Sequence, residues 1–447
     1  MNAVSRDGFR RGGTGFRETF RLGGPEIKGL EDTKRPFAKV SGTTWDVYLY
    51  VLTAREPVGV SVRNVSLDGD YFNSRMIGNY VYAVISRPVY WLMNEVPLPQ
   101  IQFRNLTEEV PATQVYHLNI SDSYYTFTTI MAVNTQNDTE DPTHKTFLLP
   151  TGGMYVSQSN IYITYSAGKT FIYRIQIEGG EIECVAKGEV PGRVLNQFAM
   201  DEYGDYFRVA TTTSSNNVYV LDMNLTIVGS LEDLAPGESI YSARFMGDRC
   251  YLVTFRRVDP LYVINLTDPR NPDVLGYLKI PGYSSYLHPY DEDHLIGIGR
   301  ENGVKISLFD VSNVSKPREI AKYEIGSWET DSPVLTDHKA LLFDKTRDLL
   351  VIPIRTPVLL KDGDHYTHCL RQDAYIFHIS LEDGLTLRDT ITHLNAIDPT
   401  ENDYYSCLRY FVKRSLYIDD VLYTVSDRKI KMNSLADLHE LNEVELP

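Results

Sequence analysis

The chain has 447 residues, 43% of them hydrophobic and 31 of them tyrosine, enough to bury a large core and suited to the pleated, half-buried surfaces of β structure. A formal charge of −15 excludes a general nucleic-acid binder, which needs a basic face to displace counterions from phosphates. No run of 18 apolar residues occurs, so no transmembrane segment is expected.

Residues 1–44 carry Arg6, Arg10, Arg11, Arg17 and Arg21 among glycines and lack the apolar stretch of a signal peptide. They read as disordered or foreign to the fold, and residues 45–447 read as one domain. Residues 45–53 (WDVYLYVLT) and 59–66 (GVSVRNVS) alternate with period two and predict the last two strands of a repeat whose first two are missing. Residues 68–86 open the next unit. An insertion follows at about 87–125, with Pro88, Pro97, Pro99 and Pro111, before 126–133 resumes the strand pattern. Long excursions of this kind usually run over one face and carry function.

Units then follow at 153–190, 192–230, 239–272 and 283–318. The third and fourth say nearly the same thing: SIYSARFMG, DRCYLVTF and PLYVIN in one, YSSYLHPY, DEDHLIGIG and KISLFDV in the other. Residues 333–344 and 347–354 begin a further unit, interrupted at about 355–372 and resumed at 373–380; residues 410–446 form the last. Second strands start near Asn160, Tyr206, Cys250 and His294, a period of about 44 residues, within the range of propeller blades. Their counterparts at Tyr80, Leu349 and Val421 are displaced by the insertions. The expected fold is all-β: a β-propeller of four-stranded antiparallel blades, about seven full units plus the half unit at 45–66.

Residues 195–213 (LNQFAMDEYGDYFRVATTT), 240–269, 280–301 (IPGYSSYLHPYDEDHLIGIGRE) and 414–431 (RSLYIDDVLYTVSDRKIK) carry a family resemblance. The chain resembles archaeal and bacterial secreted proteins with a C-terminal β-propeller domain distantly related to WD40 repeats. The resemblance implies export or an envelope location, and it brings no catalytic residues. Members of that family usually carry further blade units after an export signal. Residues 1–44 do not match this pattern, so a truncated or misassigned start, which would leave an incomplete ring, is the expectation. A genuine start would imply the cytoplasm.

Candidate sites are few. His288, Asp291, Asp293 and His294 (HPYDEDH) could hold a divalent cation, but Asp201–Asp205 and Asp344–Asp348 are acidic turns at equivalent places without the histidines, which favours a repeated turn. No other cofactor is expected. His365 and His368 beside Cys369 lack a second ligand pair. Asp337 and His338 open a first strand and could form an acid/base couple, although adjacent strand residues point to opposite faces. Of four cysteines, Cys184 and Cys250 sit in strand-like runs and are expected to be buried thiols, while Cys369 and Cys407 lie in irregular segments and are a disulfide candidate. Glycosylation sequons begin at Asn64, Asn105, Asn119, Asn137, Asn224, Asn265 and Asn313, and turn chemistry explains the same residues. Tyr124–Tyr125 and Tyr404–Tyr405 could stack on sugars or peptides, and Arg256–Arg257 reads as a solvated strand end. The reading is a non-enzymatic binding or scaffold protein that meets a protein or glycan partner through its insertions. The alternative is a hydrolase or lyase using acids and histidines near the propeller axis.

Overall fold

The computed structural model describes the backbone of residues 17–19, 36–43, 46–53, 60–89, 96–104, 106–117, 125–137, 139–255, 259–362, 365–394 and 407–446. Side chains are described from residue 65 onward, apart from His117, Asp259 and 359–369. Among these residues the strands form eight sheets, and consecutive strands pair in antiparallel fashion within most of them. Contacts divide the chain into two compact units, residues 1–192 with 222–226 and residues 193–221 with 227–447.

The first unit holds three sheets. Sheet 1 contains Pro36–Thr43, Asp46–Thr53 and Val60–Asp68, with Arg17–Thr19 at one edge. The half unit expected at 45–66 is thus part of a six-stranded sheet, and the last two strands come from the insertion. Gln100–Phe103 pairs with Val60–Asp68 through Val65↔Phe103 and Leu67↔Ile101, and Leu106–Glu109 folds back upon it. Sheet 2 is Asp70–Ile77, Tyr80–Pro88, Thr126–Asn134 and Thr143–Leu148; the insertion adds Val115–His117, which runs parallel to its last strand. The excursion at 87–125 therefore extends two sheets rather than lying loose on a face. Sheet 3 comprises Gly153–Val156, Asn160–Ala167, Lys169–Glu178 and Glu181–Pro191.

The second unit holds five sheets. In sheet 4, Arg193–Val194 and Met200–Tyr203 both pair with Tyr206–Thr212, followed by Asn216–Asp222 and Ile227–Leu234. Sheet 5 is Ser239–Met246, Arg249–Phe255, Asp259–Asn265 and Asp273–Ile280. Sheet 6 is Tyr283–Asp291, His294–Arg300, Val304–Asp310 and Arg318–Ile325. Sheet 7 is Leu342–Asp344, Leu349–Asp362, His365–Ser380 and Gly384–Ile391, and sheet 8 is Arg414–Ile418, Val421–Val425, Lys429–Ser434 and Glu440–Glu445. The interruption expected at 355–372 is a continuation of the middle hairpin of sheet 7, paired in register from Leu349↔His378 out to Asp362↔His365.

The repeat follows from burial. In sheet 6 every residue of Val304–Asp310 is buried, because neighbouring structure covers both faces of a middle strand, whereas the outer strand alternates between exposed and half-buried from Arg318 to Glu324 and ends on buried Ile325. Val304, Ile306, Leu308 and Phe309 are at most 1% exposed, and each such side chain contributes about 1.5–3 kcal/mol on burial. The outer hairpin is closed by a short polar residue at the end of the third strand. Asn134, Asp222, Asn265 and Asp310 each accept a backbone N–H two residues on through a side-chain oxygen, and the Ser434 hydroxyl does likewise for Ala436. A register shift lies between third and fourth strands of sheets 3 to 8, for example at Val263/Ile264 and Leu308/Phe309.

Beside that bulge the fourth strand must be small. A Cβ on Gly229 would stand 2.3 Å from the Pro269 carbonyl oxygen, and one on Gly276 2.3 Å from that of Val314. The turns of sheets 5 and 6 that these oxygens belong to therefore seat against a glycine of the preceding sheet. At the matching place in sheet 6 stands Ala321, paired with Leu308, and Gly384 of sheet 7 faces it.

Residues 333–344 are not the strand that the sequence suggests. Ser332 caps a 3-10 turn at Pro333–Leu335 and Asp337 caps another at His338–Ala340, so only Leu342–Asp344 is extended. Each cap side chain accepts the N–H two residues ahead, and the proline pre-sets the helical φ.

Candidate functional site

Two places gather chemistry, one in each unit. In the first unit the insertion walls a pocket of about 200 Å³. Val110, Gln114 and Tyr116 come from the insertion, Thr143 to Thr146 from the last core strand of sheet 2, and Gly180 to Ile182 from the outer hairpin of sheet 3. The Thr143 hydroxyl donates to the Gly180 carbonyl and ties two walls together. The Tyr116 ring is 48% exposed, lies 5.7 Å from the Phe147 ring, and carries the Lys145 ammonium 4.5 Å from its centre. Burial pulls His144 below its ordinary value, with the Glu108 carboxylate pulling the other way. Cys184 is half-buried, and burial pushes its thiol up against the opposing pull of Lys145. The pocket offers an aromatic face, an amide and an ammonium, which suits a small polar group more than a large apolar ligand.

In the second unit, the first strands of sheets 5 and 6 meet the 3-10 turn Gln197–Ala199 of sheet 4 and the turn His338–Ala340 before sheet 7. The Phe198 ring lies 5.3 Å from Tyr286 and 4.8 Å, edge-on, from His338, with the Arg244 guanidinium 5.2 Å from its centre. The Tyr286 hydroxyl is 3.0 Å from His288 Nδ1, and Gln197 Nε2 is 3.2 Å from His338 Nε2. His288 packs against Phe343 at 5.3 Å. Burial, then Arg244, then His338 lower His288 to about 4, so it is neutral at pH 7. Asp337, beside His338 in sequence, instead pairs with Arg414 at 2.5 Å. The carboxylate and imidazole considered as an acid/base couple thus face different partners, in keeping with the opposite directions of adjacent side chains.

The HPYDEDH stretch is likewise divided. His288 joins the aromatic cluster, while Asp291, Asp293 and His294 form the turn between the first two strands of sheet 6. There Asp291 accepts the Asp293 N–H at 3.0 Å, lies 2.7 Å from His294 Nδ1, and pairs with Lys345 at 2.8 Å. Lys345 occupies the place a cation would take. Among the described residues no three His, Cys, Asp or Glu side chains gather around one point as metal ligands would.

Of the other candidates, Cys250 is fully buried. Cys407 is buried, while the side chains of Cys369, His365 and His368 lie outside the described residues, as do those of Asn64, Asn105 and Asn119 and the residues Tyr124, Arg256, Arg257, Tyr404 and Tyr405. Asn137, Asn224 and Asn313 are exposed, and Asn265 is half-buried. Asn137 and Asn265 also make turns: each side-chain oxygen accepts the hydroxyl of the sequon threonine at 2.7 Å. Sequence reasoning missed Gln114, Tyr116 and Lys145 individually, since only their membership in or beside the insertion marked them. Arg244 and Tyr286 had one signal, a place where the repeated first-strand phrases SARF and SSYL differ, and Phe198 had none.

The sequence profile described as beta propeller domain matches residues 26–438. The chain belongs to this β-propeller family. It is 39% identical over 284 residues to an uncharacterised protein of Methanocaldococcus jannaschii, covering 61% of this chain and 38% of that protein. An uncharacterised protein of Archaeoglobus fulgidus is 36% identical over 281 residues, covering 62% of this chain and 39% of the other. The chain thus spans under two fifths of the length of these relatives. Among solved structures, apo AztD from Citrobacter koseri is similar, with a TM-score of 0.46 at 14% identity, covering 92% of this chain and 94% of that one. No helix of the described propeller is long and apolar enough to cross a membrane.

Proposed function

We propose that this propeller is a non-enzymatic binding module of the cell envelope or extracellular space. It meets a protein or glycan partner where the 87–125 insertion closes a pocket. The observation that carries the reading is the origin of that pocket: one wall is made of residues that the blade repeat does not need. Gln114 and Tyr116 lie outside the four-stranded unit and line a polar recess with an exposed ring, beside Val110, which the insertion buries in the core of the adjoining sheets. Exposed aromatics with an adjacent cation are the usual anchors of such surfaces. The exposed sequons at Asn137, Asn224 and Asn313 support an exported setting. The divided HPYDEDH stretch and the separated Asp337 and His338 lend no support to the hydrolase alternative.

The test is a screen of purified protein on glycan and peptide arrays, repeated with Tyr116→Ala and Lys145→Ala. Ligands found by the parent protein should weaken by about tenfold in either variant, with an unchanged circular dichroism spectrum. Ligands retained at full strength by both variants would remove the pocket from the proposal.

A further inference from the structure

The second unit carries a cluster of aromatic side chains that its fold does not require. We propose that Tyr241, Phe255 and Tyr283 form a binding face for a neutral carbohydrate, a chain of uncharged pyranose units. Three observations lead there. First, the three rings meet at one place. Tyr241 comes from the first strand of sheet 5, Phe255 from the end of its second strand, and Tyr283 from the start of sheet 6. The Tyr241 ring centre lies 5.3 Å from that of Phe255 and 4.9 Å from that of Tyr283, and the last two are 4.7 Å apart. Tyr241 is 37% exposed and the other two are half-buried, so the cluster opens to solvent.

Second, the repeat explains these positions but not the rings that fill them. Ile240 pairs with Thr254 and Ser242 with Val253, so Tyr241 is the extra residue of a bulge, an irregularity that re-aims a side chain. Sheet 6 has the same bulge, between Ser284 and Tyr286, and there the extra residue is Ser285. Ser239 pairs with Phe255 in sheet 5 as Tyr283 pairs with Arg300 in sheet 6. Each aromatic position thus has a serine or an arginine at the matching place in the neighbouring sheet, and the strands pair all the same.

Third, the polar rim is neutral and able to hydrogen-bond. Arg300 pairs with Asp331 at 2.5 Å and donates to the Thr330 carbonyl at 2.9 Å, and both charges act on the Tyr283 phenol. Arg355 stands 3.8 Å from the same carboxylate, and Glu238 accepts the hydroxyl of Thr254, next to Phe255, at 2.5 Å. Two guanidinium groups and two carboxylates cancel, which leaves no net charge to hold an ionic ligand. Among the described residues the Tyr241 and Tyr283 hydroxyls have no hydrogen-bond partner of their own. A pyranose fits this combination: its C–H face packs on an aromatic ring, while its hydroxyl rim meets phenols and planar polar groups that both donate and accept. A protein partner chosen by so acidic a chain would instead look for unpaired carboxylates.

Native electrophoresis of the full chain through gels containing laminarin, hydroxyethylcellulose or mannan tests the face, with polygalacturonate as the charged comparison. At least one neutral polysaccharide should retard the protein, and polygalacturonate should not. Tyr241→Ala should weaken the interaction by about tenfold, and Tyr241→Phe should keep most of it. Tyr283→Ala should weaken it as well, with circular dichroism as the check that each variant is folded. Retardation by none of the three neutral polysaccharides, retardation by polygalacturonate as strong as by any of them, or equal retardation of parent and Tyr241→Ala would overturn the proposal. Capture of array peptides through Tyr241 instead would assign the face to a protein partner and overturn it too. Tyr116→Ala should leave the retardation unchanged, which separates its outcome from that of the pocket in the other unit.

Discussion

The seating of the outer hairpin of sheet 6 on a glycine of sheet 5 makes Gly276→Ala an informative substitution. Its φ lies outside the left-handed region, so alanine meets no backbone strain there. By itself the change would stabilise by about 0.4–1 kcal/mol, through the unfolded chain. Against that, the new Cβ would stand 2.3 Å from the Val314 oxygen, 2.9 Å from Ser315 Cα and 3.0 Å from Ser315 C. All three are backbone atoms, so no side-chain rotation relieves the clash and the turn at Val314–Ser315 must move. Overpacking of this kind costs about 1–3 kcal/mol, leaving a net loss of roughly 1.3 kcal/mol at mid-range and at most about 2.6 kcal/mol. Urea unfolding followed by circular dichroism should show a lower midpoint with an unchanged slope. Ala321→Gly at the equivalent place in sheet 6 is the control, since a Cβ is already accommodated there. It should lose only about 0.4–1 kcal/mol, the entropic term. A Gly276→Ala protein as stable as the parent would refute the claim that the hairpin of sheet 6 rests on this glycine.

His393 is 1% exposed, with Ser426 Oγ at 2.9 Å from Nδ1 and Thr424 Oγ1 at 2.8 Å from Nε2, and Lys429, Lys431 and Glu443 are the charges acting on it. Burial, then the two lysines, lower it to about 4 from 6.5, so the unfolded chain takes the proton first as pH falls. Its contribution is therefore complete above pH 6.5 and lost between pH 6.5 and 4, by about 3 kcal/mol. His393→Gln should flatten that part of the curve of Tm against pH, with His288 accounting for what is left; an unchanged acid limb would contradict the assignment. Peptide mapping without reductant should find the proposed Cys369–Cys407 bridge, and alkylation of both in the native protein would exclude it, while buried Cys250 should stay unmodified. Expressed in a glycosylating host, the protein should carry glycans on exposed Asn137, Asn224 and Asn313 ahead of Asn265, whose amide donates to Asp273 at 2.9 Å. Occupancy of Asn265 first would count against reading occupancy from exposure.

The blade repeat was legible because it rests on local chemistry. The second strands expected near Tyr80, Asn160, Tyr206, Cys250, His294, Leu349 and Val421 begin at Tyr80, Asn160, Tyr206, Arg249, His294, Leu349 and Val421. A strand buried on both faces must be a short apolar run, and the turn before it must be polar, so both boundaries show in the residues. The two 3-10 turns around Asp337 escaped notice although Ser332–Pro333 is a helix-start signal. The apolar residues of 333–344 fit a strand equally well, and the choice between them depends on packing.

The sequence by itself determined most of the strands and turns, the repeat and hence the fold, since these are set by residues within a few positions of one another. The tertiary structure alone decided the partners. Leu67 meets Ile101 across a 34-residue separation, Tyr116 comes to Lys145 from another strand, and Lys345 fills the place beside Asp291 and His294. It also parted His288 from its acidic neighbours and brought it to Arg244 and His338. Successive strand residues point to opposite faces, so closeness in sequence separates side chains as often as it joins them. Which distant groups then meet is fixed only when the sheets stack.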